Sequence, residues 1–300
     1  MLLLFCFFKV ESQFVQTGVY YLAVGCDHYK NIEFDERFPG RYSASIFSKM
    51  MSEFESEGIL IQSSNKRSIS KKQILDSLNS ILERAKTRKL PFNFIFLYLC
   101  GHGFSDKQTG LQYFLPGDID IDVFNRENAL SVKQECISFH DFDFLNTATN
   151  RIAVFYDCCY NPAASNPIFT GIEDELARRE KWPDSLKKTM SYYVIDPKDN
   201  RGRQKFADTD GGLSIRLSTN DPGGLVQAVK SPIDSTKLIG PLSRRFYFAK
   251  QKFDGDSISI FRFLATMTLI DLDQKTQQPS IRRLQDLPKE LCLIRRRNRL

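Results

Sequence analysis

Short, continuously apolar runs alternate along this chain with segments whose apolar residues recur at helical spacing, and that alternation constrains the fold more than any other feature. A strand that is apolar at every position has both faces buried, which is the condition of a parallel sheet covered by helices on each side. The runs fall at 19–25, 92–99, 151–156, 213–217 and 290–294, and each has strand length and carries β-branched or aromatic residues. Between the first two, one helix is expected with Tyr42, Ile46, Phe47, Met50, Met51 and Phe54 on one face. A second begins at Ser70, which forms a capping box with Gln73, and continues through Ile74, Leu75, Leu78, Ile81, Leu82 and Ala85. A third is expected to start at Ser138, with Asp141 in its first turn and Phe142 and Leu145 facing inward, and a fourth covers about 259–272.

Residues 160–211 break this rhythm. They combine a turn-rich stretch, a charged stretch and a run of Pro, Gly, Asp and Lys with almost nothing apolar, the mark of a long insertion inside one domain. The organisation expected is an N-terminal segment over 1–16, a single α/β domain over 17–294 and a basic tail over 295–300. Within the domain, a large portion (17–160) and a small portion (213–294) are joined by a mobile linker (161–212). The 300 residues, 42% hydrophobic and 26% charged, exclude disorder and fibre. Net charge is +6, and removing Arg295, Arg296, Arg297 and Arg299 leaves +2, so no basic face is predicted for nucleic acid. No later stretch reaches the roughly 18 uncharged apolar residues of a membrane helix. The apolar start lacks both the basic lead and the small-residue cleavage site of a signal peptide. Seven cysteines without a CxxC pair or zinc spacing read as reduced thiols, and the protein is expected to be cytoplasmic.

Reactive residues stand at the carboxyl ends of two runs, and in open α/β sheets ligands bind at the carboxyl ends of strands. The run at 92–99 continues as Cys100, Gly101, His102 and Gly103, so His102 lies between two glycines that leave its ring uncovered and let a backbone amide approach a ligand closely. The run at 151–156 continues as Asp157, Cys158, Cys159 and Tyr160, which brings a thiol to the same edge. A cysteine protease needs a thiolate and an imidazole that moves protons, and neighbouring strands bring them together although 57 residues separate His102 from Cys159. His28 and His140 read as ordinary surface or core histidines, and Cys6, Cys26, Cys136 and Cys292 as small core hydrophobes. Cys158 and Cys159 are adjacent, so if one faces a cleft the other faces the protein, and only one can be the nucleophile.

The stretch from Tyr98 through Leu99, Cys100, Gly101 and His102 to Gly103 resembles the Tyr-Ser-Gly-His-Gly motif of the caspase and metacaspase superfamily, and Asp157, Cys158, Cys159 and Tyr160 resemble its Asp-Ser-Cys-His motif. The spacing is near the one of about 50 residues from His to Cys in caspases. Pro39 and Gly40 before the first helix, the stretch 113–118 after the histidine, the Gln278-Pro279 turn and the closing strand at 290–294 extend the resemblance over nearly the whole chain. It implies a caspase-like three-layer sandwich with a mostly parallel central sheet of about six strands. It assigns Cys159 as nucleophile, His102 as general acid and base, and the backbone N–H groups of Gly103 and Cys159 as the oxyanion hole. Asp157 and Cys100 fall in its substrate pocket, where the Asp157 carboxylate favours Lys or Arg ahead of the scissile bond. The implied activity is hydrolysis of protein or peptide substrates through an acyl-enzyme, with no metal or organic cofactor. A homodimer and self-processing within 161–212 are further expectations of the family.

Ser43 and Ala44 stand where metacaspases place Asn-Asp, Cys100 where the motif has serine, and Tyr160 where it has His. These replacements motivate the second reading, a catalytically inactive caspase-like module for protein interaction. Nucleotide binding is disfavoured because no Gly-rich phosphate loop follows the first strand. The alternate carboxylates of 118–122 read as a solvated edge, so no metal site is expected there.

Overall fold

The computed structural model describes residues 15–30, 39–64, 67–105, 112–119, 134–138, 141–142, 150–158, 215–218, 228–270, 280–282, 287 and 289–296. Its centre is a sheet of β1 (Thr17–Gly25), β2 (Ser56–Gln62), β3 (Phe92–Cys100), β7 (Asn150–Asp157), β8 (Ile215–Ser218) and β12 (Ser280–Arg282). Their spatial order is β12-β8-β7-β3-β1-β2; all pair parallel except β12, which runs antiparallel to β8 at one edge. The small strands β4 (Gly103–Ser105), β5 (Gln112–Phe114) and β6 (Ile137–Ser138) form an antiparallel sheet directly after His102. Two further pairs are β9 (Val229–Lys230) with β10 (Leu238–Ile239), and β11 (Ser257–Ser259) with β13 (Cys292–Ile294).

Helices cover both faces, giving the three-layer α/β architecture expected from the apolar runs. Along β1, β3 and β7 successive side chains point to opposite faces. Leu22, Val24, Ile95, Leu97, Leu99, Ile152 and Val154 pack under α2 (Lys71–Arg88), whose Ile74, Leu78, Ile81, Leu82 and Ala85 are buried against them. Ala23, Phe94, Phe96, Tyr98 and Phe155 pack under α1 (Gly40–Met51), α3 (Pro241–Gln251) and α4 (Ile260–Leu269). Phe47 of α1 joins the second core together. Its ring stacks on Tyr98 at 4.6 Å and meets Phe246 of α3 edge-on at 4.9 Å, and each such aromatic pair contributes about 0.5–1.5 kcal/mol beyond its buried area. Among the described residues, no helix is long and apolar enough to cross a membrane.

Local chemistry explains the helix starts. Ser70 Oγ accepts the Gln73 N–H at 3.0 Å, the capping bond expected of that pair. Ser138 also keeps its predicted partner: its N–H donates to Asp141 Oδ2 at 2.7 Å. Phe142 of the expected third helix is buried, whereas 139–140 and 143–149, Leu145 among them, lie outside the described residues.

Several elements depart from expectation, β13, β2 and α3 foremost. The run at 290–294 forms β13, which pairs with β11 rather than joining the central sheet. Strand β2 and helix α3 were not expected at all. Furthermore, Arg295 and the exposed Arg296 are tied to the fold: the Arg296 N–H donates to the Glu53 carbonyl, its guanidinium to the carbonyls of Phe54 and Ser56, and the Arg295 N–H to the Asp256 carbonyl. Four carbonyls left over at the ends of α1, β2 and β11 are thereby satisfied, and the Arg295 guanidinium donates to the carbonyls of Lys250 and Phe253, so both cationic side chains are held.

At the carboxyl end of β1 the chain passes α1 at backbone contact. A Cβ on Gly25 would lie 2.4 Å from the Gly40 carbonyl oxygen, and one on Gly40 would lie 2.7 Å from the Cys26 carbonyl oxygen. Gly25→Ala must therefore push α1 off the sheet and is expected to destabilise the fold by about 1–3 kcal/mol, measured as a fall in the urea midpoint; an unchanged midpoint would show that this close approach has slack.

Candidate active site

Strands β3 and β7 pair in register from Asn93 opposite Asn150 to Cys100 opposite Asp157, so both motifs leave the sheet at one edge. His102 follows β3 by two residues. It is 8% exposed, and burial pushes its imidazole down to about 3, which keeps the ring neutral and makes it a weak base in this state. Its backbone is fixed at both ends: the N–H donates to the Tyr29 hydroxyl at 2.7 Å, and the carbonyl accepts the Leu115 N–H at 2.9 Å. Gly103 is buried and opens β4 opposite Phe114. Cys159 lies outside the described residues, as do Tyr160 and the stretch 161–212.

The described thiols Cys26, Cys100, Cys136, Cys158 and Cys292 are free and buried. Burial pushes Cys26 up to about 12 and holds Cys100 and Cys136 well above the ordinary thiol range. None of these three is set up as a thiolate. Cys158 is fully buried in the core on the α2 side of the sheet, so a thiol there faces the protein.

Asp157 occupies a polar seat that its sequence position did not announce. It is 1% exposed and accepts from the Tyr98 hydroxyl at 2.7 Å and from the N–H groups of Leu242 and Ser243 at 3.3 Å each. Helix α3 begins with Gly240 at its N-cap and Pro241 after it, and no side chain of its own caps it. Asp157 supplies that cap from β7, placing an anion at the positive end of the helix. A Cβ on Gly240 would meet Asp157 Oδ2 at 2.0 Å, so only glycine lets the carboxylate in. Ser43 completes the seat, its Oγ accepting the Gly240 N–H at 2.9 Å and donating to the Pro39 carbonyl at 2.5 Å. Ser243 Oγ lies 2.8 Å from the Tyr98 hydroxyl. A substrate cation reaching for Asp157 would compete with three donors already in place.

Cys100 is likewise buried, at the foot of this seat on the α1 side. His28 keeps its ordinary reading, its backbone N–H donating to Ser63 Oγ, and His140 lies outside the described residues. Tyr29 and Ser243 escaped the sequence reading, and Ser43 was noted there only as a replacement in the family's pattern. The Gly240-Pro241 pair did carry a signal, since proline at the first helical position without a Ser, Asp or Asn before it asks for a cap from elsewhere.

No family model and no curated protein matches the chain. Solved structures that it resembles include a protein from Geobacter sulfurreducens, at 14% identity over 88% of this chain and 92% of that one with a TM-score of 0.47. They also include caspase-1 from Spodoptera frugiperda (9% identity, 91% and 88% covered, TM-score 0.42) and the Drosophila initiator caspase Dronc (8%, 90% and 80%, 0.45). At these values the likeness assigns neither a family nor the role of any residue.

Burial raises the Asp157 carboxyl from 3.8 to about 6, against the pull of Tyr98, Leu242 and Ser243. A folded-state value above the unfolded one means that the native state binds the proton more tightly. The stabilisation from this group is therefore fully present below about pH 4 and is lost as pH rises through about 6. Between pH 7 and pH 5 the wild type should gain about 1 kcal/mol relative to Asp157→Asn, which cannot take up that proton. Urea unfolding of both proteins at the two pH values checks this, and a difference that does not change with pH contradicts it.

Proposed function

We propose that this chain is a cysteine endopeptidase that hydrolyses peptide bonds through His102 and Cys159. The observation that carries this reading is the β3–β7 register: Cys100 stands opposite Asp157, and His102 and Cys159 each follow their strand by two residues. Neighbouring strands are about 4.8 Å apart, so an imidazole and a thiol at matching positions beyond them are within reach of each other. The burial of Cys158 supports Cys159 as the reacting thiol.

In the reaction, His102 takes the Cys159 proton as the sulfur attacks the carbonyl carbon, and the negative charge that develops on the carbonyl oxygen is held by the backbone N–H groups of Gly103 and Cys159. Each such donor contributes about 3–4 kcal/mol in the transition state. The proton then passes from His102 to the leaving amine, the C–N bond breaks and a thioester remains. Water, deprotonated by His102, attacks the thioester and releases the acid and the thiol.

Preference for Arg or Lys ahead of the scissile bond belongs to this reading and rests on the Asp157 anion at the sheet edge. Because its oxygens already cap α3, Asp157 acts on a substrate cation through its charge, with the helix as competitor. The same occupancy, together with the burial of His102, favours the second reading, an inactive interaction module.

Turnover of peptides with Arg or with Asp before the scissile bond separates the readings. Cys159→Ala and His102→Ala should each lower kcat/KM by about a thousandfold or more, while Cys158→Ser keeps most of it and Arg peptides outrun Asp peptides. Loss in Cys158→Ser with retention in Cys159→Ala reverses the assignment, faster cleavage after Asp overturns the preference, and no hydrolysis of either peptide by the wild type favours the inactive module.

A further inference from the structure

The turn that follows β1 returns the chain beneath the His-Gly corner and buries one aromatic residue there. Tyr29 is 1% exposed. Its hydroxyl accepts the His102 backbone N–H at 2.7 Å and donates to the Cys26 carbonyl at 3.3 Å, so one oxygen ties the end of β1 to the residue after β3. The ring of Tyr29 also packs on the imidazole, with centroids 5.1 Å apart and planes tilted by 54°. Tyr29 thus touches both the backbone and the ring of His102.

Gly101 is part of the same arrangement. A Cβ at that position would lie 2.8 Å from the Tyr29 hydroxyl oxygen and 2.8 Å from the Phe114 ring, so the glycine before the histidine makes room for the tyrosine. Burial holds the Tyr29 hydroxyl well above its ordinary value and therefore protonated, which preserves its donation to Cys26. Among the described residues, the titratable groups that face it are His102, Cys26 and Cys158, all buried.

We infer that Tyr29 is a positioning residue for His102, holding the imidazole in the orientation from which it exchanges protons with the nucleophile. This rests on the reading of His102 as general acid and base, but the geometry of the support does not depend on it. A hydroxyl clamped on the backbone of a histidine fixes where the ring begins, and a ring packed against its face fixes how far it turns. Misplacement by about 1 Å is enough to lower a rate by up to about a hundredfold.

Tyr29→Phe in the full chain removes one oxygen and keeps the ring. The expected result is a fall in kcat of about tenfold or more with KM changed less than about twofold, because binding does not pass through the hydroxyl. In parallel, modification of His102 by diethyl pyrocarbonate, located by peptide mapping, should become several-fold faster. Wild-type kcat together with wild-type modification rate would overturn the inference, as would a KM increase that accounts for all of the loss. If the wild type hydrolyses no peptide, the endopeptidase reading fails, and the modification rate alone still decides whether Tyr29 holds His102. Should Tyr29→Phe not fold, Gly101→Ala pushes the tyrosine off the His102 amide with both side chains kept. The same faster modification is then expected, and an unchanged rate overturns the inference.

Discussion

Eight consecutive residue pairs between β3 and β7, from Asn93 with Asn150 to Cys100 with Asp157, are the constraint on which the rest of the molecule depends. Because the side-chain period of a strand is two, a slip of one residue would exchange the two cores, turning Phe94, Phe96 and Tyr98 toward α2 and Ile95, Leu97 and Leu99 toward α1. Such a slip would also move His102 relative to everything that follows Asp157. The apolar character of both faces therefore secures the register, and the register aligns the candidate site. The candidate site is thus coupled to core packing through the backbone ladder.

The second organising feature is a buried anion. Taking a carboxylate out of water is costly unless its oxygens are hydrogen-bonded, and Asp157 recovers part of that cost from Tyr98 on β3 and from the first turn of α3. One side chain thus joins residues 240–251 to the central strands, and Ser43 of α1 adds a second bond to the same helix start. Lys250, near the other end of α3, closes an ion pair with Glu53 at 2.6 Å. Helix α3 is held at both ends by residues from the first third and the middle of the chain. The candidate substrate edge is consequently built from parts far apart in sequence, and a change in how α3 sits is felt at Asp157.

Much of this was legible in the chain. Strands β1, β3 and β7 are apolar at nearly every position, and only a strand buried on both faces requires that. Ser70 and Gln73 announce α2 because a capping box has a local physical cause, and His102 between two glycines at a strand end pointed to chemistry for the same kind of reason. What stayed hidden depended on partners distant in sequence. Strand β2 sits at an edge with Leu60 partly exposed, and its short apolar run carries little period of its own. The cap of α3 comes from a residue 84 positions before Pro241, and the support of His102 from one 73 positions before it. Arg295 and Arg296 read as a solvated charge run until the carbonyls that hold them were in view. Local rules identify elements and reactive residues, whereas a tertiary hydrogen bond leaves no local mark.

The central claim is that His102 and Cys159 act together on a peptide carbonyl. Its most direct measurement is covalent labelling of the full chain by a peptide that ends in Arg and carries a thiol-reactive electrophile, followed by mass mapping of the modified residue. The account predicts one equivalent of label on Cys159 and slow or absent labelling in His102→Ala, because the imidazole must take the thiol proton. Label on Cys158 or another buried thiol, or an undiminished rate in His102→Ala, would contradict it.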